Sequence, residues 1–216
     1  VVVNTQKTAA YRAPGSPAAS FAAETVLDEL AEKLGLDPIE FRLANAAKEG
    51  TRQAAGPVFG KIGCIEVLEA LKDHPHYNTP LQGENQGRGV ALGFWFNGSG
   101  PATAVASVNA DGTVGLVGGA PDIGGTRVAM AMQVAEVLGI AAEDVKPSVG
   151  DTDSIGYSSG AGGSSVAFKM GTACYEAAQD VRGQIIQCAA RIWDVDPESV
   201  EYDKGTVRHQ SDPELK

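Results

Sequence analysis

The chain has 216 residues, enough for one large domain or two small ones with a real hydrophobic core. Its 43% hydrophobic and 20% charged residues are those of an ordinary globular protein. A formal charge of -10 leaves no basic excess for nucleic acid or an anionic membrane, and no apolar run approaches the roughly 18 residues of a membrane-spanning helix.

The opening VVVNTQKTAA has no initiating Met and no charged region followed by an apolar core. It reads as a strand already under way in a piece of a longer chain, not as a signal peptide. Residues 17–34 then place Ala19, Ala22, Ala23, Val26, Leu27, Leu30 and Leu34 on one helical face and Glu24, Asp28, Glu32 and Lys33 on the other. His74 and His76 in DHPHY lack a carboxylate or Cys at ligand spacing and are expected in a solvated loop. The polar YNTPLQGENQGRG, near 77–87, is the best linker by composition and divides the chain into segments 1–80 and 81–216.

Strands are predicted at 88–96, 102–109 and 113–118, the last two joined by the turn NADGT. A helix over 126–138 turns Met130, Val134, Val137 and Leu138 inward, and a strand follows at 145–149. A helix over 171–193 aligns Cys174, Ala178, Val181, Ile185, Cys188, Ala189 and Ile192 on one stripe. Strands at 200–202 and 206–209 flank the turn YDKGT, and His209 in that hairpin carries no signal. Cys64, Cys174 and Cys188 are odd in number and far apart, so they fit neither a disulfide framework nor a CxxC site and are expected as buried packing thiols.

LAEKLGLDPIEF (30–41), VAEVLGIAAEDV (134–145) and AARIWDVDPESV (189–200) share one layout: a helix end, a turn, a short capped turn and an apolar residue. This weak repeat predicts recurring αβ units in an α+β, two-layer fold, with helices packed on one face of a mixed or antiparallel sheet rather than in strict βαβ alternation.

Three glycine-rich segments lead into the three predicted helices. YRAPGSP has Ser16 as N-cap and Pro17 at the first helical position; GGAPDIGGTR (118–127) has Thr126 as cap; YSSGAGGSSVAF (157–168) offers Ser164 and Ser165 as caps. Helix N-termini present unpaired N–H groups, and glycines admit a ligand to the backbone. Each segment alone is as readily an ordinary turn, but three together point to a long ligand with several anionic or polar groups, such as a dinucleotide-like cofactor. None matches GxxxxGK[ST], and none places GxGxxG after a strand. Arg127 reads equally as a solvated helix residue, and Asp151 and Asp153 either orient a hydroxyl or amine or simply form a turn. With no GxSxG, no HExxH, and histidines far from these segments, the residues alone identify no catalytic acid, base or nucleophile and no metal ligand.

AYRAPGSPAASFAAETVLDELAEKLGLDPIEFRLAN (10–45) resembles the stretch of the xanthine dehydrogenase/aldehyde oxidase family's molybdenum subunit that begins at its aromatic-Arg-x-x-Gly motif. PDIGGTRVAMAMQVAEVLGI (121–140) is similar to that family's glycine-containing loop and following helix, and DTDSIGYSSGAGGSSVAFKMGTACYEAA (151–178) to its small-residue loop and helix. The segments keep the family's order over most of residues 4–190. The resemblance implies a molybdenum–pterin cofactor, in bacteria often the cytosine dinucleotide form, and hydroxylation of aldehydes or N-heteroaromatic carbons with oxygen from water. Electrons would leave through [2Fe–2S] centres to FAD on partner subunits or domains.

Carried over by position, Ala10, Tyr11 and Arg12 would lie beside molybdenum and pterin, with Arg12 facing inward. Gly124 and Gly125 would approach the dithiolene and pterin end. Gly162, Gly163, Ser164 and Ser165 would offer backbone and hydroxyl donors to the pterin and its pyrophosphate.

Two departures qualify the resemblance. Many members have Gly-Gln-Gly in the second loop, where this chain reads Gly124-Gly125-Thr126, so the Gln amide contact is missing and Thr126 or backbone would substitute. The family's general-base glutamate lies in a Gly-Glu motif downstream of these residues, and its upstream Gly-Gly segment is also absent. No catalytic residue is therefore assigned, and the isolated segment is expected to be inactive. The competing expectation is a non-catalytic assembly module of the same fold that binds no molybdenum. The cytoplasm is the expected compartment, with the periplasm also open.

Overall fold

The computed structural model describes residues 4–6 and 10–216. The strand expected over the first ten residues thus lies largely outside the described residues. Two compact units, Val1–Trp95 and Phe96–Lys216, make up the chain.

In the first unit α1 (Ser16–Leu34) is followed by α2 (Pro38–Asn45), α3 (Cys64–Asp73) and the single turn α4 (Pro75–Asn78). The three short helices escaped the periodicity reading because each offers only one or two apolar turns. Asp37 starts α2 by accepting from the N–H groups of Ile39 (2.8 Å) and Glu40 (3.1 Å), with Pro38 at the first helical position. Ile39, Leu68 and Val90 form this unit's small core.

The polar and apolar faces of α1 are not where the pattern put them. Glu24 and Asp28 face α2, where the buried guanidinium of Arg42 bonds Glu24 Oε2 through Nε (2.8 Å) and Asp28 Oδ1 through Nη2 (2.7 Å). Phe21, Val26, Leu30 and Leu34 are exposed, and only Ala31 of the helix is buried. Residues 88–96 are not a strand. Leu92 and Phe94 instead bond α1: the Leu92 N–H donates to Glu24 Oε2 (2.8 Å), and the Phe94 carbonyl accepts from Ser16 Oγ (3.0 Å).

The second unit is the expected α+β arrangement. β1 (Ala104–Val108) pairs antiparallel with β2 (Val114–Gly118), and β2 pairs parallel with β3 (Val145–Val149), giving a mixed sheet in the order β1-β2-β3. Alternate residues Val114, Leu116 and Gly118 of β2 are buried beneath α5 (Thr126–Leu138) and α6 (Val166–Trp193), and Met130, Val134, Leu138, Met170 and Cys174 complete the core. α5 lies between the parallel strands β2 and β3, so one βαβ unit is embedded in the layered fold. β4 (Val200–Asp203) and β5 (Thr206–His209) form the C-terminal hairpin.

The threefold sequence repeat has a physical basis in one helix-ending device. Gly35, Gly139 and Asp194 each take the left-handed conformation after α1, α5 and α6 (φ 64°, 62° and 56°). The next N–H, of Leu36, Ile140 or Val195, returns to the carbonyl of Ala31 (2.9 Å), Ala135 (3.1 Å) or Ala190 (3.0 Å). This is the Schellman closure, and all three alanines are buried beneath it. A strand follows in two of the three cases; after α1 the capped turn instead grows into α2.

Of the cysteines, Cys174 is buried, and burial pushes its thiol up to about 11. Cys64 is half-buried. Cys188 is exposed, contrary to expectation, because it sits off the stripe that α6 buries.

Candidate functional site

Met130 and Met170 are each the fifth residue of their helix, and both reach the space beside Gly118, the last residue of β2. A Cβ on Gly118 would stand 3.1 Å from the Met170 methyl carbon and 3.3 Å from the Met130 sulfur. α5 and α6 therefore start over the same end of the sheet. The N-terminus of β1 and the C-termini of β2 and β3 share that end, because β1 is antiparallel and β3 parallel to β2. The two glycine-rich segments preceding these helices thus form one edge.

The loop 156–165 is laced to this edge. Ser159 N–H donates to Pro101 O (2.9 Å), Thr103 N–H to Ser158 Oγ (3.0 Å), and Gly98 N–H to Gly163 O (2.6 Å). Gly98 and Gly100 are required by this packing: a Cβ would come within 2.8 Å of Gly163 O in one case and 2.6 Å of Ser159 Oγ in the other. Sequence reasoning missed these two glycines, although small residues recurring in NGSGP, just beyond a presumed strand, were the signal. It also missed Lys169, which is buried in the first turn of α6 with its ammonium on Ser159 O (2.6 Å), Ser159 Oγ (2.7 Å) and Gly160 O (2.9 Å).

Both helices start without a side-chain cap, so the cap assignments are corrected. Gly125, left-handed at φ 83°, occupies the cap position of α5, and Thr126 is its first residue. Thr126 Oγ1 instead accepts from Ile123 N–H at 3.1 Å. Ser165 stands at the cap of α6, but its hydroxyl turns back to Gly162 O (2.7 Å); Ser164, with φ 56°, is exposed. α6 begins at Val166, five residues earlier than the pattern predicted, because Val166, Lys169 and Met170 are buried against the edge.

Electrostatically the two starts differ. Asp122 accepts from Arg127 N–H (3.2 Å) and from Arg127 Nε (2.9 Å), and the side-chain bond to Arg127 foremost holds its carboxyl below the usual carboxylate range. Arg127 is thus neutralised locally, and one N–H of the α5 start is taken. The first turn of α6 carries no acidic residue.

The first unit contains the segment around Arg12. Gly15 is left-handed at the cap of α1, Ser16 is the first helical residue and Pro17 the second, so Ser16 is not the cap. Arg12 and Ala13 both have positive φ (37° and 45°), an unusual backbone for side-chain-bearing residues. Ala10, Tyr11 and Arg12 are exposed. Among the described residues no cluster of three or more His, Cys, Asp or Glu is arranged to hold a metal ion. His74 caps α4 by accepting from the His76 N–H (3.1 Å), and both are exposed.

A sequence profile described as a molybdopterin cofactor-binding domain matches residues 69–216, and a second profile of that description matches residues 1–46. The chain belongs to the molybdopterin cofactor-binding family. Its relatives include molybdenum-binding subunits of a putative xanthine dehydrogenase and an aldehyde oxidoreductase. It is 33% identical over 205 residues to the putative xanthine dehydrogenase molybdenum-binding subunit XdhA of Escherichia coli K12, covering 87% of this chain and 27% of the relative. It is 32% identical over 209 residues to the aldehyde oxidoreductase molybdenum-binding subunit PaoC of the same organism, covering 92% and 28%. The fold matches quinoline 2-oxidoreductase from Pseudomonas putida 86 with a TM-score of 0.67 at 22% identity, over 91% of this chain and 28% of that one. The chain thus spans about a quarter of the length of these proteins.

Parts of the backbone along this edge are unobstructed. A Cβ at Gly125, Gly160 or Gly162 would meet no atom within 4 Å, so the backbone there is open to close approach. Gly162 and Ser164 are exposed, and Gly163 and Thr126 are half-buried. The donors present are backbone N–H groups and hydroxyls, a set suited to a pterin's ring edge and to phosphate oxygens.

Proposed function

We propose that this edge holds the molybdenum–pterin cofactor in its cytosine dinucleotide form. The convergence of the uncapped α5 and α6 starts on Gly118 carries the reading. The start of α6, free of acidic residues and lined by Gly162, Gly163, Ser164 and Ser165, suits the pyrophosphate. The start of α5, with Asp122 already on its N–H, suits the pterin and dithiolene end, which carries no phosphate, beside Gly124, Gly125 and Thr126. Ala10, Tyr11 and Arg12 are proposed as the cofactor-binding residues of a first part of the cofactor region, at about residues 1–80, with a second part from 81 onward.

When bound, the cofactor supplies oxidation of an aldehyde or N-heteroaromatic carbon with oxygen from water. This chain's residues bind and orient it; the general base and the [2Fe–2S] and FAD groups are assigned to other parts of the enzyme, and these residues alone are inactive. Three free cysteines fit a reducing cytoplasm. Among the described residues no helix is long and apolar enough to cross a membrane.

Two observations favour a second reading, an assembly module without molybdenum: Gly125 offers no side chain to a ligand, and Asp122 occupies the α5 start. Molybdenum and pterin analysis of the native polypeptide carrying these residues decides between them. Molybdenum near one per chain with releasable pterin supports the cofactor reading; neither group above background supports the second.

A further inference from the structure

Lys169 breaks a local rule. A cation in the first turn of a helix opposes the positive dipole end, and a buried ammonium is costly unless fully hydrogen-bonded. Here all three ammonium protons are used, on Ser159 O (2.6 Å), Ser159 Oγ (2.7 Å) and Gly160 O (2.9 Å), with only 3% of the residue exposed. Three converging oxygens are the kind of nest a metal cation takes; the ammonium fills it from within the chain.

The consequence lies in the peptide planes. All peptides in the described chain are trans, so each C=O points opposite to the N–H of the following residue. With the carbonyls of Ser159 and Gly160 drawn down onto Lys169, the N–H groups of Gly160 and Ala161 point away from it, on residues that are exposed. Two further amide donors are thereby presented beside the α6 start, where sequence reasoning placed donors only at 162–165. A positive charge beneath them reinforces their pull on an anion.

We propose that Lys169 is the positioning residue of the anion-binding loop, turning the Gly160 and Ala161 N–H groups outward to hold phosphate oxygens of the cofactor's pyrophosphate. This rests on the reading of the edge as the cofactor-binding face. Lys169→Met keeps the buried stem and deletes the cation. Its 157–165 amides are expected to exchange about tenfold faster or more, the scale set by losing hydrogen bonds to a charged donor, while Met170–Ala190 stay protected. Pterin content of the native polypeptide falls by a similar factor. In Lys169→Ala, propylammonium chloride, which matches the deleted atoms, restores both loop protection and pterin content, and sodium chloride at equal ionic strength does not.

Unchanged pterin content in Lys169→Met, or a loss that spreads through α6 and that propylammonium does not repair, overturns the positioning role. Gly162→Val separates the two levels, because that site is open and the variant leaves Lys169 in place. Wild-type pterin content in Gly162→Val overturns the binding reading itself, and the role of Lys169 with it.

Discussion

Gly118 leaves the Met170 side chain its space at the end of the sheet from which both glycine-rich loops spring: a Cβ on Gly118 would lie 3.1 Å from the Met170 methyl carbon. A single methyl is absorbed by rotation of two flexible methionines, and Ala gains strand propensity over Gly. Gly118→Ala is therefore expected to change stability by less than about 1 kcal/mol, whereas Gly118→Val overpacks the junction and costs about 1–3 kcal/mol. Denaturant unfolding of the two variants checks the ordering; equal effects would show that Met130 and Met170 do not close this space.

The shared helix-ending device predicts three different responses. Gly35→Ala meets no neighbour and pays only for left-handed backbone, about 1 kcal/mol. Gly139→Ala costs more, because its Cβ would stand 2.6 Å from the Cα of Lys204 as well. Asp194→Gly relieves a side-chain-bearing residue at φ 56° and stabilises by roughly 0.5–1 kcal/mol. Thermal unfolding of the three variants gives the order directly.

Arg42 ties α2 to α1 through two unequal ion pairs. Asp28 is half exposed and contributes little, but the Glu24 side chain is only 12% exposed and also accepts the Leu92 N–H. Arg42→Ala leaves that carboxylate buried without its counter-charge and is expected to destabilise the first unit by about 3–5 kcal/mol. Adding Glu24→Gln removes the stranded charge and recovers part of the loss. Amide exchange in α2 reads the effect locally, apart from the second unit.

The Tyr77 hydroxyl donates to Asp37 Oδ2 at 2.6 Å, and burial first, then that bond, push the phenol from 10.0 up to about 12. A raised folded-state value gives stability present in full below pH 10 and lost as pH rises through about 12. Asp37 shows the opposite limb. Burial would raise its carboxyl, but the Tyr77 hydroxyl, the Glu40 and Ile39 N–H groups and Lys72 together lower it, so its contribution is lost as pH falls through its depressed folded value. Tyr77→Phe is expected to flatten the alkaline limb of the first unit's melting temperature against pH; an unchanged limb would assign it elsewhere.

What the sequence disclosed depended on how local each cause was. The second unit's helix over 126–138 and strand over 145–149 match the structure, because their periodicity is imposed by one continuous core. The threefold layout was visible because the Schellman closure needs its residues within one turn. Glu24 and Asp28 were grouped with Glu32 and Lys33 on one polar face, because their partner, Arg42, stands 18 and 14 residues away and nothing local marks a charge as buried. At the site, the glycine-rich loops were legible, while Gly98, Gly100 and Lys169 were not: their role arises only when loop 156–165 folds back on them. The caps were misread because glycine, not the neighbouring Ser16 or Thr126, takes the left-handed position ahead of α1 and α5.

The central claim is that the shared edge under α5 and α6 holds the cofactor through an open backbone. The most direct measurement is pterin and molybdenum content of the native polypeptide carrying Gly162→Val, beside its melting temperature. Since no atom lies within 4 Å of that Cβ, the fold should be unaffected and the melting temperature unchanged, while pterin content falls by about tenfold or more as the side chain fills the ligand's space. Full cofactor content at an unchanged melting temperature would contradict the account.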